Sequence, residues 1–456
     1  MTKNLTVGNP ALLILSFTIP LLVGNLFQQF YNMADAFIVG RTIGVQALAA
    51  VGCTGSINFL ILGFVIGFTQ GASIITSQRF GAGNTAGVRR SFAASIYLGI
   101  GLTVALMLVS ILSARPLLRL LRTPPEIFDD AYSYIIVIYW GIAAAVLFNL
   151  CSNMMRAVGD SRTPLIFLVI ACIINIILDY VFILVVHTGV KGAAYATVIA
   201  QFLSGVLCIP VIIKKLPILR ITKADWRING AEIWEHIRVA FPVGFQMSII
   251  AIGIVTVQFA LNRLGTIAVA AYTASQKIDQ FASMPLGSFG AAMTTFAAQN
   301  YGARKYDRIR TGVIQCAIMS CSFSVVMGIL YFFAGHHFAA IFIGAEAEAV
   351  NLAHTYLRIY GIFYIFLAIL FIFRQTLQGL GNSLVPTIAG IAELVMRTFA
   401  AIILSHYFGF TGICFAGPLA FIGACIPLSI AIILTMKQLT RKSIAEKKLL
   451  TYQSLM

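Results

Sequence analysis

Gln78-Arg-Phe-Gly-Ala-Gly83 and Gln299-Asn-Tyr-Gly-Ala-Arg304 are one polar phrase written twice in a chain that is otherwise almost continuous hydrocarbon. Upstream of them, Pro20 matches Pro242 and Arg41-Thr-Ile-Gly44 matches Arg263-Leu-Gly265. Downstream, Gly159-Asp-Ser-Arg-Thr-Pro164 matches Gly381-Asn-Ser-Leu-Val-Pro386, and Gly189-Val-Lys-Gly192 matches Gly409-Phe-Thr-Gly412. The separation stays between 220 and 222 residues, so residues 20–205 and 242–425 read as two copies of one unit. A duplicated apolar chain with a seam between its halves has the sequence form of an alternating-access transporter.

Composition sets the class. Of 456 residues, 59% are hydrophobic and 10% charged, against about 25% charged in a soluble domain. The pattern predicts an all-α integral membrane protein with twelve transmembrane helices in two pseudo-symmetric six-helix bundles. The spans fall at roughly 13–38, 47–77, 92–114, 130–153, 164–186 and 192–213, then 239–260, 268–297, 311–342, 351–378, 386–407 and 411–436. The expected domains are an N-terminal lobe over 1–213, a cytoplasmic linker over 214–237, a C-terminal lobe over 238–440 and a cytoplasmic tail over 441–456. Six spans per half keep both halves in one orientation, with a central cleft expected between them.

The net charge of +16 is a topology signal and not a nucleic-acid footprint, because the basic residues sit in short loops between apolar spans. With the N-terminus inside, the inner loops and tails hold 22 of the 31 Lys and Arg residues. Only Arg41, Arg115, Arg119, Arg122, Lys191, Arg263 and Arg358 fall outside, and Lys277 and Arg397 lie within spans. Both termini are therefore expected in the cytoplasm, with the chain a multi-pass protein of the cell membrane. The first residues show no cleavable leader pattern. Eight cysteines lie mostly within spans with no CxxC spacing, and neither HExxH nor GxSxG occurs, so neither a transition-metal site nor an enzyme is expected.

Charge inside a span costs about 2.5–3.5 kcal/mol on insertion scales and marks function. Asp35, Asp179, Lys277, Asp279, Glu393 and Arg397 qualify. Asn175 precedes Asp179 by four residues, so the two share a helix face. Two carboxylates, an amide oxygen and a hydroxyl such as Thr197 form a hard oxygen set, suited to a proton or Na⁺. No basic residue of the N-terminal spans neutralises Asp35 or Asp179, which makes their ionised pair costly and a cation welcome. Glu393 and Arg397 have (i, i+4) ion-pair spacing and read as a structural pair.

Two six-helix lobes, Pro20 followed by Asp35 in the first span, the repeated Gln-x-x-Gly-Ala loops and Arg156-Ala-x-Gly-Asp-x-Arg-x-Pro resemble the multidrug and toxic compound extrusion (MATE) transporters of bacterial type. The resemblance covers about Leu12 to Leu439. It implies a cation-coupling site at Asp35, Asn175, Asp179 and Thr197, with Na⁺ at the first three as the one metal ion admitted. It also implies secondary antiport: amphipathic organic cations leave in exchange for H⁺ or Na⁺, with no cofactor. The second acidic site that one branch of the family has early in the seventh helix is missing here, where Gln246 stands and the span holds no carboxylate. The substrate cleft is expected to be lined by Phe27, Gln28, Met33, Tyr139, Gln246, Gln276, Asp279 and Gln280. The expected partners are small organic cations and membrane lipid, the protein working as a monomer. The competing reading is a lipid-linked precursor or polysaccharide flippase of the same superfamily.

Overall fold

Hydrocarbon offers no partner to a peptide N–H or C=O, so a chain of this composition satisfies its backbone internally, as helices. The structure, a computed structural model, describes residues 3–344 and 346–455, with residues 447–455 described by their backbone alone. Among them there is no β-strand. The first repeat comprises α1 (Pro10–Thr42), α2 (Val45–Gly81), α3 (Thr85–Leu120), α4 (Pro125–Trp140), α5 (Ile142–Ala157), α6 (Arg162–Tyr180) and α7 (Val190–Lys215). The second comprises α8 (Gly230–Leu261), α9 (Thr266–Gly302), α10 (Tyr306–Ile343), α11 (Ala347–Gly379), α12 (Leu384–Phe399), α13 (Ser405–Cys414) and α14 (Ala416–Leu455).

Ten helical segments are long and apolar enough to cross a bilayer, and α4 with α5, bent by 48°, makes an eleventh. The helix α9 has the length of a twelfth but carries Gln276, Lys277, Asp279 and Gln280, which dilute its hydrophobicity. The bend between α4 and α5 falls at Gly141, where a Cβ would collide with the Val198 side chain on α7. The spans face lipid with large apolar side chains such as Leu112 and Phe333, both more than 70% exposed, an exposure no soluble surface would sustain.

The repeated landmarks are helix stops and starts. Gly159 and Gly381 adopt φ of +87° and +86°, a left-handed conformation that only glycine takes without strain. The residue after each caps the next helix. Asp160 Oδ1 accepts from the N–H groups of Arg162 and Thr163, and Asn382 Oδ1 accepts from Val385 N–H. In both repeats the fifth span also passes into a π-helix at the same place, Val181–Val185 and Ala400–Leu404.

The chain divides into two compact units. One holds Pro20–Ser248 together with Lys3 and Asn4, and the other holds Leu5–Ile19 and the chain from Ile249 onward. In the first unit α2 packs on α3, α4 and α5, while α7 packs on α4, α5 and α6. In the second, α11 packs on α9, α10 and α14, and α12 on α14. These boundaries differ from the expected lobes of 1–213 and 238–440, for identifiable reasons. Leu5 N–H donates to Gln299 Oε1, Lys305 Nζ to Thr6 O and Arg308 Nη1 to Gly8 O, which binds the segment before α1 to the second unit. At the other boundary α8 packs on α2. There a Cβ on Gly67 would lie 2.5 Å from Val243 O, and one on Gly71 would lie 2.6 Å from Ala240 Cα.

The linker is shorter than the expected 214–237. Only Leu216–Asn229 lies outside α7 and α8, because Asn229 Oδ1 caps α8 by accepting from Glu232 N–H at 2.8 Å. The early α8 residues are then engaged: Arg79 pairs with Glu232 and Glu235, and His236 Nε2 meets Ser91 Oγ at 2.8 Å. The expected tail over 441–456 is helical through Leu455 as the end of α14, with Ser443 donating to Asp307 and Arg304 pairing with Glu446. The side chains of Lys447 and Lys448, and the whole of Met1, Thr2, Ala345 and Met456, lie outside the described residues.

Because α2 and α8 meet backbone to backbone at Gly71, Gly71→Ala must push them apart. Overpacking of this kind costs about 1–3 kcal/mol. Thermal unfolding in detergent should show a lowered Tm for Gly71→Ala and an unchanged one for Gly101→Ala, where a Cβ meets nothing within 4 Å.

Candidate functional site

Three helices of the first unit converge on a buried set of oxygens: Tyr31 and Asp35 from α1, Asn175 and Asp179 from α6, and Thr197 from α7. Asn175 and Asp179 are both 0% exposed. Tyr31 OH donates to Thr197 Oγ1 at 3.0 Å, Asn175 Nδ2 reaches the same oxygen at 3.5 Å, and Thr197 passes its own proton to Ala193 O at 3.0 Å. Thr197 thus serves here as an acceptor that fixes Tyr31 and the Asn175 amide.

That orientation leaves the negative side of the site open. Both carboxyl oxygens of Asp179, one of Asp35 and the Asn175 carbonyl oxygen are buried without a hydrogen-bond donor. The two carboxyls are neighbours, and the Tyr134 ring of α4 lies within electrostatic reach of both. A buried acceptor without a donor costs roughly 1–3 kcal/mol, more when charged. All four atoms are hard oxygens, and the set contains no soft ligand for a transition metal. Tyr31 was absent from the sequence-level site, although it precedes Asp35 by one helical turn and shares its face. Just beyond Asp179 the α-helix becomes the π-segment Val181–Val185, an irregularity common where helices carry function.

The second unit handles charge differently. Glu393 Oε1 accepts from Arg397 Nη2 at 2.9 Å, and Glu393 Oε2 accepts from Arg374 Nη2 at 2.6 Å. Arg374, which the sequence reading did not join to Glu393, lies in the last turns of α11 and is 6% exposed. The group is therefore a triad of net charge +1 rather than a self-neutralised pair. Arg397 occupies the repeat position of Asn175. Asp279 accepts from Tyr331 OH at 3.5 Å beside a packed set of tyrosines, in which Tyr331 meets Tyr364 and Tyr356 stacks on Tyr360.

The match to a family model follows the same duplication: the MatE model fits residues 20–181 and again residues 242–403. The chain belongs to the MatE family. It is 28% identical over 415 residues to the probable multidrug resistance protein YpnP of Bacillus subtilis, covering 90% of this chain and 92% of that one. To the probable multidrug resistance protein NorM of Thermotoga maritima it is 26% identical over 400 residues, covering 87% and 86%. Among solved structures, its fold matches an outward-facing multidrug resistance MATE transporter with a TM-score of 0.89, at 23% identity over 96% of this chain and 99% of that one. A MOP superfamily transporter from Pyrococcus furiosus matches with a TM-score of 0.86, at 23% identity over 97% and 99%. This MATE protein is thus a multi-pass membrane transporter and not an enzyme.

The residues expected to line its substrate cleft fare unequally. Phe27, Gln28 and Met33 on α1 and Gln276 and Gln280 on α9 are exposed, Gln276 Nε2 donating to Tyr272 OH, while Asp279 is half-buried. Tyr139 is not available to a ligand. It is fully buried in the first unit's core, packed with neighbours such as Ile135 and Ile138. Gln246 on α8 is 1% exposed.

The triad yields a direct test. Glu393→Gln leaves two buried guanidinium groups without their counter-charge, a change that costs about 3–5 kcal/mol. Its Tm in detergent should fall steeply, while Glu346→Gln, outside the triad, should melt like the parent protein.

Proposed function

We propose that this MATE protein is a secondary active antiporter that exports amphipathic organic cations in exchange for H⁺ or Na⁺ by alternating access. The observation that carries the reading is the group of donor-less oxygens on Asp35, Asn175 and Asp179. Two neighbouring carboxylates in a low dielectric repel one another when ionised, and either a proton or Na⁺ relieves that repulsion. The relief changes which packing of α1 is favoured, and Pro20 within α1 lacks the N–H that would resist a bend there. An ion favouring one packing weakens any ligand favouring the other, so drug and ion compete through linkage. Relatives named as multidrug resistance and multidrug export proteins support a drug-like substrate. The basic-residue bias supports an orientation with both termini and the linker in the cytoplasm.

A second reading, the flippase of lipid-linked or polysaccharide precursors, draws on the extra buried cation of the Arg374–Glu393–Arg397 triad, which would favour an anionic substrate. The two readings separate in proteoliposomes. Efflux of a fluorescent organic cation should follow an imposed H⁺ or Na⁺ gradient and fall to background in Asp35→Asn, which keeps the side chain's size but cannot ionise. Cation efflux at the parent rate in Asp35→Asn vesicles removes the coupling site, and an absence of gradient-driven cation efflux in the parent protein favours the flippase. In equilibrium binding, drug affinity should fall as pH drops or Na⁺ rises, and lose that dependence in Asp179→Asn.

A further inference from the structure

Each unit carries an apolar groove at the same repeat position. In the first, α3, α5 and α7 enclose about 790 Å³ walled by Phe92, Ile96, Leu150 and Ile212. In the second, α10, α11 and α14 enclose about 670 Å³ walled by Val313, Ala317 and Ile432. Val313 and Ala317 are the repeat equivalents of Phe92 and Ile96, and Ile432 is that of Ile212. The duplication therefore preserved the groove while its wall residues changed. Ile100 at one edge and Ile318 at the other are 59% and 60% exposed, so each groove opens on the lipid-facing surface of its own unit.

Both grooves end in uncompensated positive charge. Arg310, Lys437 and Arg441 close the second, and all three are exposed. Among the described residues none of them pairs with a carboxylate. The nearby acids are engaged elsewhere: Asp307 accepts from Ser443, and Glu446 pairs with Arg304. The first groove ends at the linker, in Arg220 and Trp226. Asp225, the acid beside them, accepts from Arg89 at 2.9 Å and from Thr222 Oγ1 at 2.6 Å, so it does not neutralise Arg220. Trp226 packs edge-on against Tyr97 of α3, with ring centroids 5.4 Å apart, and a tryptophan at this junction is the side chain that favours the headgroup level of a bilayer. Volumes of several hundred Å³ suit a ligand of substantial size. Apolar walls ending in unpaired Arg and Lys require that ligand to be hydrocarbon at one end and anionic at the other.

We propose that the two grooves are a pair of sites for an anionic phospholipid of the leaflet next to the basic loops. An acyl chain lies along each groove, and the phosphate headgroup meets Arg310, Lys437 and Arg441 in one and Arg220 in the other. The proposal rests on the membrane reading of the chain and is independent of cation coupling. Native mass spectrometry of the purified protein, titrated with phosphatidylglycerol and with phosphatidylcholine of the same acyl chains, tests it. The parent protein should prefer phosphatidylglycerol. Arg310→Gln, Lys437→Gln and Arg441→Gln should each weaken that binding about fivefold while leaving phosphatidylcholine unchanged. Arg358→Gln, which removes an exposed cation outside both grooves, should change neither. Ile314→Trp, filling an exposed part of the second groove's wall, should weaken both lipids. Equal binding of the two lipids by the parent protein overturns the proposal. Undiminished phosphatidylglycerol binding in all three charge variants overturns it too, as does competition by glycerophosphoglycerol lacking acyl chains.

Discussion

The cost of an unpaired charge in hydrocarbon is the constraint on which this transporter turns. Backbone polarity is dealt with by helices throughout, so what remains to distinguish one region from another is the treatment of side-chain charge. In the second unit the treatment is closure. Glu393 is held by two guanidinium groups at 2.6 and 2.9 Å, and Asp279 is lodged among tyrosines. In the first unit the set is incomplete: Tyr31 donates to Thr197, Asn175 Nδ2 reaches the same oxygen, and neither oxygen of Asp179 receives a donor. The energy of a buried acceptor set without donors depends on whether a cation occupies it, and the proposed coupling draws on that dependence.

The duplication makes this contrast interpretable. Both repeats end a helix with a left-handed glycine, cap the next with Asp160 or Asn382, and pass into a π-segment at Val181 or Ala400. The scaffold was thus copied with its irregularities intact, while the residues it presents diverged. Where the first repeat has Asn175, the second has Arg397. The neighbouring positions differ too: Asp35 and Asp179 are matched by Val257 and Ala401, while Glu393 and Arg374 are matched by Ala171 and Ser152, so one cluster holds carboxylates without cations and the other a carboxylate with two.

The grooves show the same conservation of shape with divergence of chemistry. Their wall positions coincide across the repeat, yet the first ends in a linker arginine and a tryptophan and the second in three cations from α10 and α14. Both put positive charge where apolar helices meet polar loops, the depth at which a bilayer presents phosphate.

Hydrophobicity and a constant offset near 221 residues were enough to determine, from the chain alone, an all-helical membrane protein built twice. These properties are local or periodic and need no contact map. Asp35, Asn175 and Asp179 were also legible, because a carboxylate inside a span is rare and an (i, i+4) pair shares a face whatever surrounds it. Tyr31 and Arg374 were not, since nothing in their own sequence says that they meet Thr197 or Glu393. Tyr139 and Gln246 have the chemistry of ligand-binding side chains, and only the close packing of helices remote in sequence decided that both are buried. The edges of the units were likewise beyond reach of pattern. Leu5–Ile19 joins the second unit through Gln299, Lys305 and Arg308, and α8 begins at Gly230 because Asn229 caps it and Arg79 holds its first turns. Long-range partners choose among local options that the sequence leaves equal, and that choice is made only in the folded chain.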